Sequence, residues 1–433
     1  MNIFAERRKQ LLERLQGVLV LPAAPELIRN NSVHHEYRQD SDFHYLTGFG
    51  EPEAVLLLAP KHPEHKVVLF VRKRDPEREK YDGARAGVEG AKAEFGADAA
   101  FTIDQLDDKL LDYLEGYHRL YYKLGQSRSL DDRVLRAREL LRMKGTRAKK
   151  TWPTEIVEPG DVLHEMRAVK SEAELGFMRR AAAITREAHL VSMRLTAPGR
   201  YEYEVEAQIR EVFRRNGAER TAYTPIVGAG PNATILHYHA NRKQLVDGEL
   251  LLIDAGCEYE YYASDVTRTF PVNGTFSPVQ RRLYEIVLAA QMAAIEAVKP
   301  GVTVDALHDI TVRTLVEGFV REGLLSGDVN EIIEKETYKR LYPHRTSHWL
   351  GMDVHDVGPY YRDGEARPLE PGMVLTIEPG IYVAPDDENA PAEYRGIGIR
   401  IEDDILVTAT GYENLTADIP KAPDEVERAC RNA

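Results

Sequence analysis

One order of elements occurs twice in the second part of this chain, and no other feature restricts its fold as much. Ser171 with Glu174 makes a capping box ahead of an apolar series, Phe177, Ala181, Ile184, Ala188, Val191 and Leu195. Its alternating steps of four and three predict a helix, and Pro198-Gly199 stops it. A second helix is expected from about Tyr203 to Arg215, closed by Gly217. The same punctuation then returns. Ser277-Pro278 opens a helix, Pro300-Gly301 ends it, a further helix spans Val304 to Val320, and Gly323 closes that one. Strand patterns follow both helix pairs. Two helices and then strands, twice, predict a duplicated half-domain with a site at the interface of its halves.

The strands carry the polar residues that matter. Leu250–Ile253 reads as a strand buried on both faces, and it ends in Asp254. A carboxylate there costs on the order of several kcal/mol unless something pairs with it. Asp265 opens the next strand. With a tight reversal near Glu260, the odd separation (265 − 254 = 11) sets the two acids side by side across the ladder. Such a pair asks for a cation, although two solvated hairpin acids are the alternative for the pair alone. The second half supplies three histidines, His344, His348 and His355, in twelve residues. It also has an alternating strand, Met373–Ile377, leading to Glu378, and the segment Gly396–Glu402. In that last segment isoleucines fill one face, while Gly396, Gly398, Arg400 and Glu402 fill the other. Glycines beside charges predict space for a ligand to approach the backbone.

Residues 1 to about 168 alternate helical and strand patterns, which predicts a small α/β domain. Helices are expected at 2–16, Asp104–Tyr113 and Leu130–Met143, and strands at Val18–Leu21, Ala54–Ala59, Val67–Val71 and Leu120–Lys123. Asp40–Tyr45 reads as a structural turn, and Lys149–Asp161 as an inter-domain linker. The expected domains are therefore 1–168 and 169–433. A net charge of −13 without a long basic run argues against nucleic acid and anionic membrane as partners. The start lacks the apolar core of a signal peptide, and no apolar run approaches a membrane span. Two cysteines, Cys257 and Cys430, build no disulfide framework, so a cytoplasmic location is expected.

Four carboxylates and one imidazole, on strands from both halves, are hard-leaning ligands. They suit two divalent ions such as manganese better than a thiolate-bound structural zinc. Metals in such a site acidify water and polarise a carbonyl, so the expected reaction class is metal-assisted hydrolysis.

The segments LLIDAGCEY…SDVTRTFPVNG, SHWLGMDVHDVG, VLTIEPGIY and GIGIRIEDD resemble those of aminopeptidase P, the Xaa-Pro aminopeptidases of the pita-bread group. RQDSDFHYLTGFGEPEAVL is similar to that family's amino-terminal region, so the resemblance covers nearly the whole chain. It implies a small α/β domain ahead of a pseudo-twofold α/β (pita-bread) catalytic domain. The implied activity is release of the first residue from peptides with proline second, with two divalent ions, most simply Mn2+, per chain. By the same resemblance Asp254 binds one metal, Asp265 and Glu402 bridge both, and His348 and Glu378 bind the other. Glu378 also accepts a proton from water. His237 and His355 match histidines that contact substrate and stabilise the oxyanion. His344 matches a residue of the proline pocket, and Tyr382 and Arg400 lie near the site, with Arg400 bracing Glu402 and Asp254. His239, Asp353 and Asp356 read as structural. A homo-oligomer, dimer or tetramer, is implied. Tyr81 stands where some relatives carry a tryptophan that reaches a neighbouring subunit's pocket. Prolidase, a dipeptidase with the same five ligands, is the nearest alternative. A non-catalytic peptide-binding relative is the other, and the complete ligand set argues against it.

Overall fold

A computed structural model describes residues 2–431. The chain forms two compact units, Met1–Met166 and Arg167–Ala433. Among the described residues, no helix is long and apolar enough to cross a membrane.

The first unit is built on a six-stranded mixed sheet. Its order is Ala99–Thr102, Val67–Val71, Val55–Leu58, Val18–Pro22, Arg119–Tyr121 and Glu155–Val157. The apolar runs of the inner strands are buried, as their composition requires. Two expectations are corrected here. Asp40–Tyr45 is not a turn but the start of a helix, Ser41–Thr47, whose first turn is capped by Asp40 accepting from the Phe43 N–H at 2.9 Å. Two turns of helix are too short for a periodic pattern to show. Lys149–Asp161 is not a free linker either. Glu155–Val157 is the last strand of the sheet, parallel to Arg119–Tyr121, and the Gly160–Ala168 helix begins inside the segment. Three strand residues between prolines leave no alternation to read.

In the second unit the duplication is plain. Glu172–Leu195 packs on Glu202–Arg215, and Pro278–Ala297 on Val304–Arg321. The first helix of each pair starts on a capping box: Glu174 accepts from the Ser171 N–H at 2.9 Å, and Gln280 accepts from the Ser277 N–H at 2.9 Å. Gly217 and Gly323, just past the second helix of each pair, both adopt left-handed backbone, with φ of 89° and 70°. Strands from both halves enter one core, where Ile253 and Phe270 are buried together with Ile381 and Ile399.

The first half contributes an antiparallel sheet of Ile226–Ala229, Leu250–Asp254 and Thr267–Pro271. Beyond Asp254 the chain reverses at Glu260 and Tyr261, whose φ values of 50° and 67° give a primed two-residue turn. The turn sets a register different from the expected one. Tyr259 pairs with Tyr262, so Asp254 faces Thr267 (267 − 254 = 13), and Asp265 lies two residues off, on the diagonal. The second half contributes Val374–Ile377 against Asp403–Val407 and Gly380–Tyr382 against Gly398–Arg400.

The space beside Gly398 is also reassigned. A Cβ there would lie 2.1 Å from the Ala233 carbonyl oxygen, so this glycine admits the chain's own Gly230–Thr234 turn rather than a ligand. Gly398→Ala is expected to lower unfolding stability by roughly 1–3 kcal/mol through overpacking against that backbone. Denaturant melts of the two proteins check this, and an unchanged midpoint would refute the close-packing account.

Candidate metal centre

Each acid of the centre ends or begins a buried strand. Asp254 ends Leu250–Asp254, and Asp265 precedes Thr267–Pro271. Glu378 follows Val374–Ile377 and is held by its N–H donating to the Thr346 carbonyl at 2.8 Å. Glu402 falls between Gly398–Arg400 and Asp403–Val407, its N–H donating to the Thr267 carbonyl at 3.1 Å. His348 runs alongside Val374–Ile377, where its carbonyl accepts from the Thr376 N–H at 2.9 Å. All five side chains line one cavity of about 970 Å³.

Ligand atoms of Asp265, His348 and Glu402 lie within 4.8 Å of one another. His348 Nε2 is 3.3 Å from Asp265 Oδ2 and 3.4 Å from Glu378 Oε1. Its Nδ1 lies 3.1 Å from the Trp349 carbonyl, which can only accept, so Nδ1 carries a proton and Nε2 is turned toward the carboxylates. Asp254 joins through Tyr223, whose hydroxyl lies 2.6 Å from Asp254 Oδ1 and 2.5 Å from Asp265 Oδ1. One phenolic proton thus sits between two acids.

The electrostatics test whether this set fits a cation. Burial, then the charges of Asp265, Glu378 and Asp254, hold the Glu402 carboxyl well above its ordinary value. Burial lifts Glu378 to about 7 against the pull of His348 and Arg400, and burial also raises Asp254 against Arg400. Burial disfavours charge on His348, yet the hydrogen bond to Asp265 and the charges of Glu378 and Asp265 raise it to about 9. Oxygen-rich, crowded and short of positive charge, the set fits divalent metal ions.

Arg400, 4% exposed, braces the acids. It donates to Asp254 Oδ2 at 2.6 Å and to Thr267 Oγ1 at 3.1 Å, and Thr267 in turn donates to Glu402 Oε2 at 2.7 Å. The brace to Glu402 is therefore indirect. Its Nη1 donates to the Tyr382 hydroxyl at 2.9 Å, which lies 2.8 Å from His344 Nε2. His344 Nδ1 must donate to the Arg345 carbonyl at 2.8 Å, so Nε2 accepts from Tyr382, and the chain runs Arg400 to Tyr382 to His344. Burial and then the Arg400 charge push His344 down to about 3, leaving it neutral.

His355 packs edge-on against His348, ring centroids 4.4 Å apart, and burial followed by the His348 charge lowers its pKa. His237 lines the same cavity. So does His239, read as structural from sequence, its ring parallel to that of His237 at 6.3 Å. Asp353 and Asp356 lie on Arg167 instead, away from the five ligands. Tyr223 and Thr267 were not singled out from sequence. Thr267 had a signal, since it stands two residues from Asp265 on an alternating strand; Tyr223 had none. Tyr223→Phe removes the shared proton and is expected to weaken divalent-metal affinity about ten- to a hundredfold, the usual effect of losing an outer hydrogen bond to a ligand. Calorimetric titration of the metal-stripped protein measures it, and equal affinity would show that the hydroxyl does not orient the acids.

Comparison with known proteins agrees with this geometry. Residues 176–409 match metallopeptidase family M24, and residues 4–121 match the aminopeptidase P N-terminal domain. The Xaa-Pro aminopeptidase of Escherichia coli is 46% identical over 98% of this chain and 96% of its own length. The human Xaa-Pro aminopeptidase 3 is 33% identical over 99% of this chain and 86% of its own. Among solved structures, an aminopeptidase from Pseudomonas aeruginosa superposes with a TM-score of 0.96 at 50% identity, covering 99% of this chain and 97% of that one. Zinc-substituted Escherichia coli aminopeptidase P in complex with product gives 0.95 at 45% identity, covering 99% and 97%. A centre suited to divalent ions, inside a duplicated α/β unit that matches these enzymes from end to end, places the chain in metallopeptidase family M24, among the aminopeptidases P.

Proposed function

We propose that this chain is a metallo-aminopeptidase that releases the N-terminal residue from peptides with proline in the second position. The observation that carries the reading is the convergence of five candidate ligand side chains on one cavity that is also lined by the neutral His344, which the buried Tyr382 holds from behind. Asp254, Asp265, His348, Glu378 and Glu402 would hold two divalent ions. Manganese suits a set with no thiolate, and Cys257 is buried outside it. When bound, the ions supply Lewis acidity and a nucleophile at neutral pH.

The side chains do the rest. Glu378, lifted toward neutrality, is suited to accept the proton of the attacking water and pass it to the departing proline nitrogen. His355 and His237 present N–H donors to the carbonyl oxygen as it gains charge. A bond to proline is a tertiary amide with no N–H, and the ring fixes φ near −65°. Proteases that hold substrate as an added strand handle it poorly, whereas a rigid ring in a shaped pocket loses little entropy. His344 forms the pocket wall, while Tyr382, expected from the resemblance to meet substrate, lies buried behind it and sets its orientation through the directed chain from Arg400. Asp254 would hold the ion nearer the free amine of the substrate. The likeness to Xaa-Pro aminopeptidases over the whole chain favours an aminopeptidase over a dipeptidase. A cytoplasmic location and assembly into dimers or tetramers belong to the same reading.

The manganese-loaded protein is expected to release only the first residue from peptides of three or more residues with proline second. Alanine in place of that proline should cost at least about tenfold in kcat/KM, the scale set by losing a shaped apolar contact. Mass spectrometry of the products decides: cleavage of dipeptides alone means a dipeptidase, and cleavage of internal bonds removes the amine-anchoring role of Asp254.

His355→Ala is expected to keep two metal ions per chain by elemental analysis while kcat falls about ten- to a thousandfold. Full turnover at saturating substrate would take His355 out of the mechanism.

A further inference from the structure

We propose that Lys170 and Arg167 are positioning residues for His355, acting through the buried carboxylate of Asp356. The proposal rests on the role given to His355 above. Asp356 directly follows His355, and its side chain is 1% exposed. Arg167 Nη2 donates to Asp356 Oδ1 at 2.6 Å, and Lys170 Nζ donates to Asp356 Oδ2 at 3.1 Å. Both cations are buried as well, at 3% and 2% side-chain exposure. Arg167 Nη2 also donates to Asp353 Oδ2 at 2.8 Å, so one nitrogen holds both acids of the 351–356 loop. None of these residues lines the catalytic cavity.

The loop is closed tightly around this cage. A Cβ on Gly351 would lie 2.0 Å from Asp356 Oδ2 and 2.9 Å from Lys170 Cε, so the loop backbone passes directly over the ion cluster. The Asp356 N–H donates to the Trp349 carbonyl at 2.9 Å, and the Gly351 carbonyl accepts from the Ala263 N–H at 2.8 Å, which joins the loop to the hairpin that precedes Asp265. His355 therefore has its neighbour locked on one side, while its own ring rests on His348 at the other. To carry the His355 backbone away from the cavity, the chain would have to draw Asp356 off two buried cations.

A buried ion cluster is a poor device for stability alone, because well-packed apolar side chains of similar volume often do as well or better. Fixed charge partners do impose direction, since carboxylate and guanidinium meet in few geometries. The lowered pKa of Asp356, where Lys170 and Arg167 outweigh the effect of burial, agrees with a carboxylate permanently held by both. Orientation of the adjacent imidazole is the function that such a cage serves.

The test is a double-mutant cycle on the manganese-loaded full chain, with a proline-second tripeptide as substrate. Lys170→Met is expected to lower kcat at least about tenfold with KM changed less than about threefold, as for loss of an orienting partner. Metal content should stay as in the parent. Combined with His355→Ala, it should lose no more activity than His355→Ala alone, because both changes remove the same interaction. Lys170→Arg, which keeps the charge, should recover most of the rate. If Lys170→Met does not fold, Asp356→Asn, which keeps shape and removes charge, runs the same cycle. Additive losses, or full kcat in a folded variant, overturn the proposal. A harmless His355→Ala would instead overturn the underlying reading of His355, which the single variant reports on its own.

Discussion

Repulsion among four buried carboxylates is the constraint on which this structure turns. Asp254, Asp265, Glu378 and Glu402 line one cavity, and each is buried or nearly so. Left to themselves they would separate or take up protons. What holds them is a layer of donors behind the cavity. Arg400 donates to Asp254 Oδ2, Thr267 to one oxygen of Glu402, and the Tyr223 hydroxyl lies between Oδ1 of Asp254 and Oδ1 of Asp265. Behind these, the fully buried Arg268 donates to the carbonyls of Thr267 at 2.9 Å and Glu402 at 2.6 Å and to Asp403 Oδ1 at 2.7 Å. The two strands that present Asp265 and Glu402 are thus tied from the rear, and the crowding is maintained until a cation relieves it.

The duplication explains how such a cluster is assembled. Asp254 and Asp265 come from the first half, and His348, Glu378 and Glu402 from the second, so neither half has a complete site. The shared core, in which Ile253 and Phe270 meet Ile381 and Ile399, sets the distance between the two groups of ligands. Close-packed interiors deform little, so a core of this kind fixes the spacing of these side chains. Glycines at the crossings serve the same end: Gly398 lets the Gly230–Thr234 turn press against the strand that bears Arg400.

Histidines in the cavity divide by their hydrogen bonds rather than by their sequence. His344 and His348 both donate Nδ1–H to a backbone carbonyl, which directs Nε2 inward. Beyond that their surroundings differ. His344 meets Tyr382 and the field of Arg400 and stays neutral, whereas His348 meets Asp265 and Glu378 and gains basicity. One residue type, in one orientation, is thus neutral in the first setting and basic in the second.

Local grammar in the sequence was enough for the duplicated helix pairs, their caps and the buried strands, and the family resemblance named the five polar side chains that line the cavity. Capping boxes, Pro-Gly stops and alternation act over a few residues, and motif residues keep their order along the chain. Register was not legible: Asp254 faces Thr267 because a primed turn at Glu260 and Tyr261 counts the ladder, and a one-residue change in that turn would move every partner. Nor was the helix at Ser41–Thr47, too short for periodicity, or the edge strand Glu155–Val157, which exists only because Arg119–Tyr121 lies beside it. Tyr223, Thr267 and the cage around Asp356 owe their places to contacts between segments 31 to 189 residues apart. Sequence alone determined which polar groups stand at the ends of the buried strands; only tertiary packing decided which neighbours hold them, because those contacts form between segments far apart in the chain.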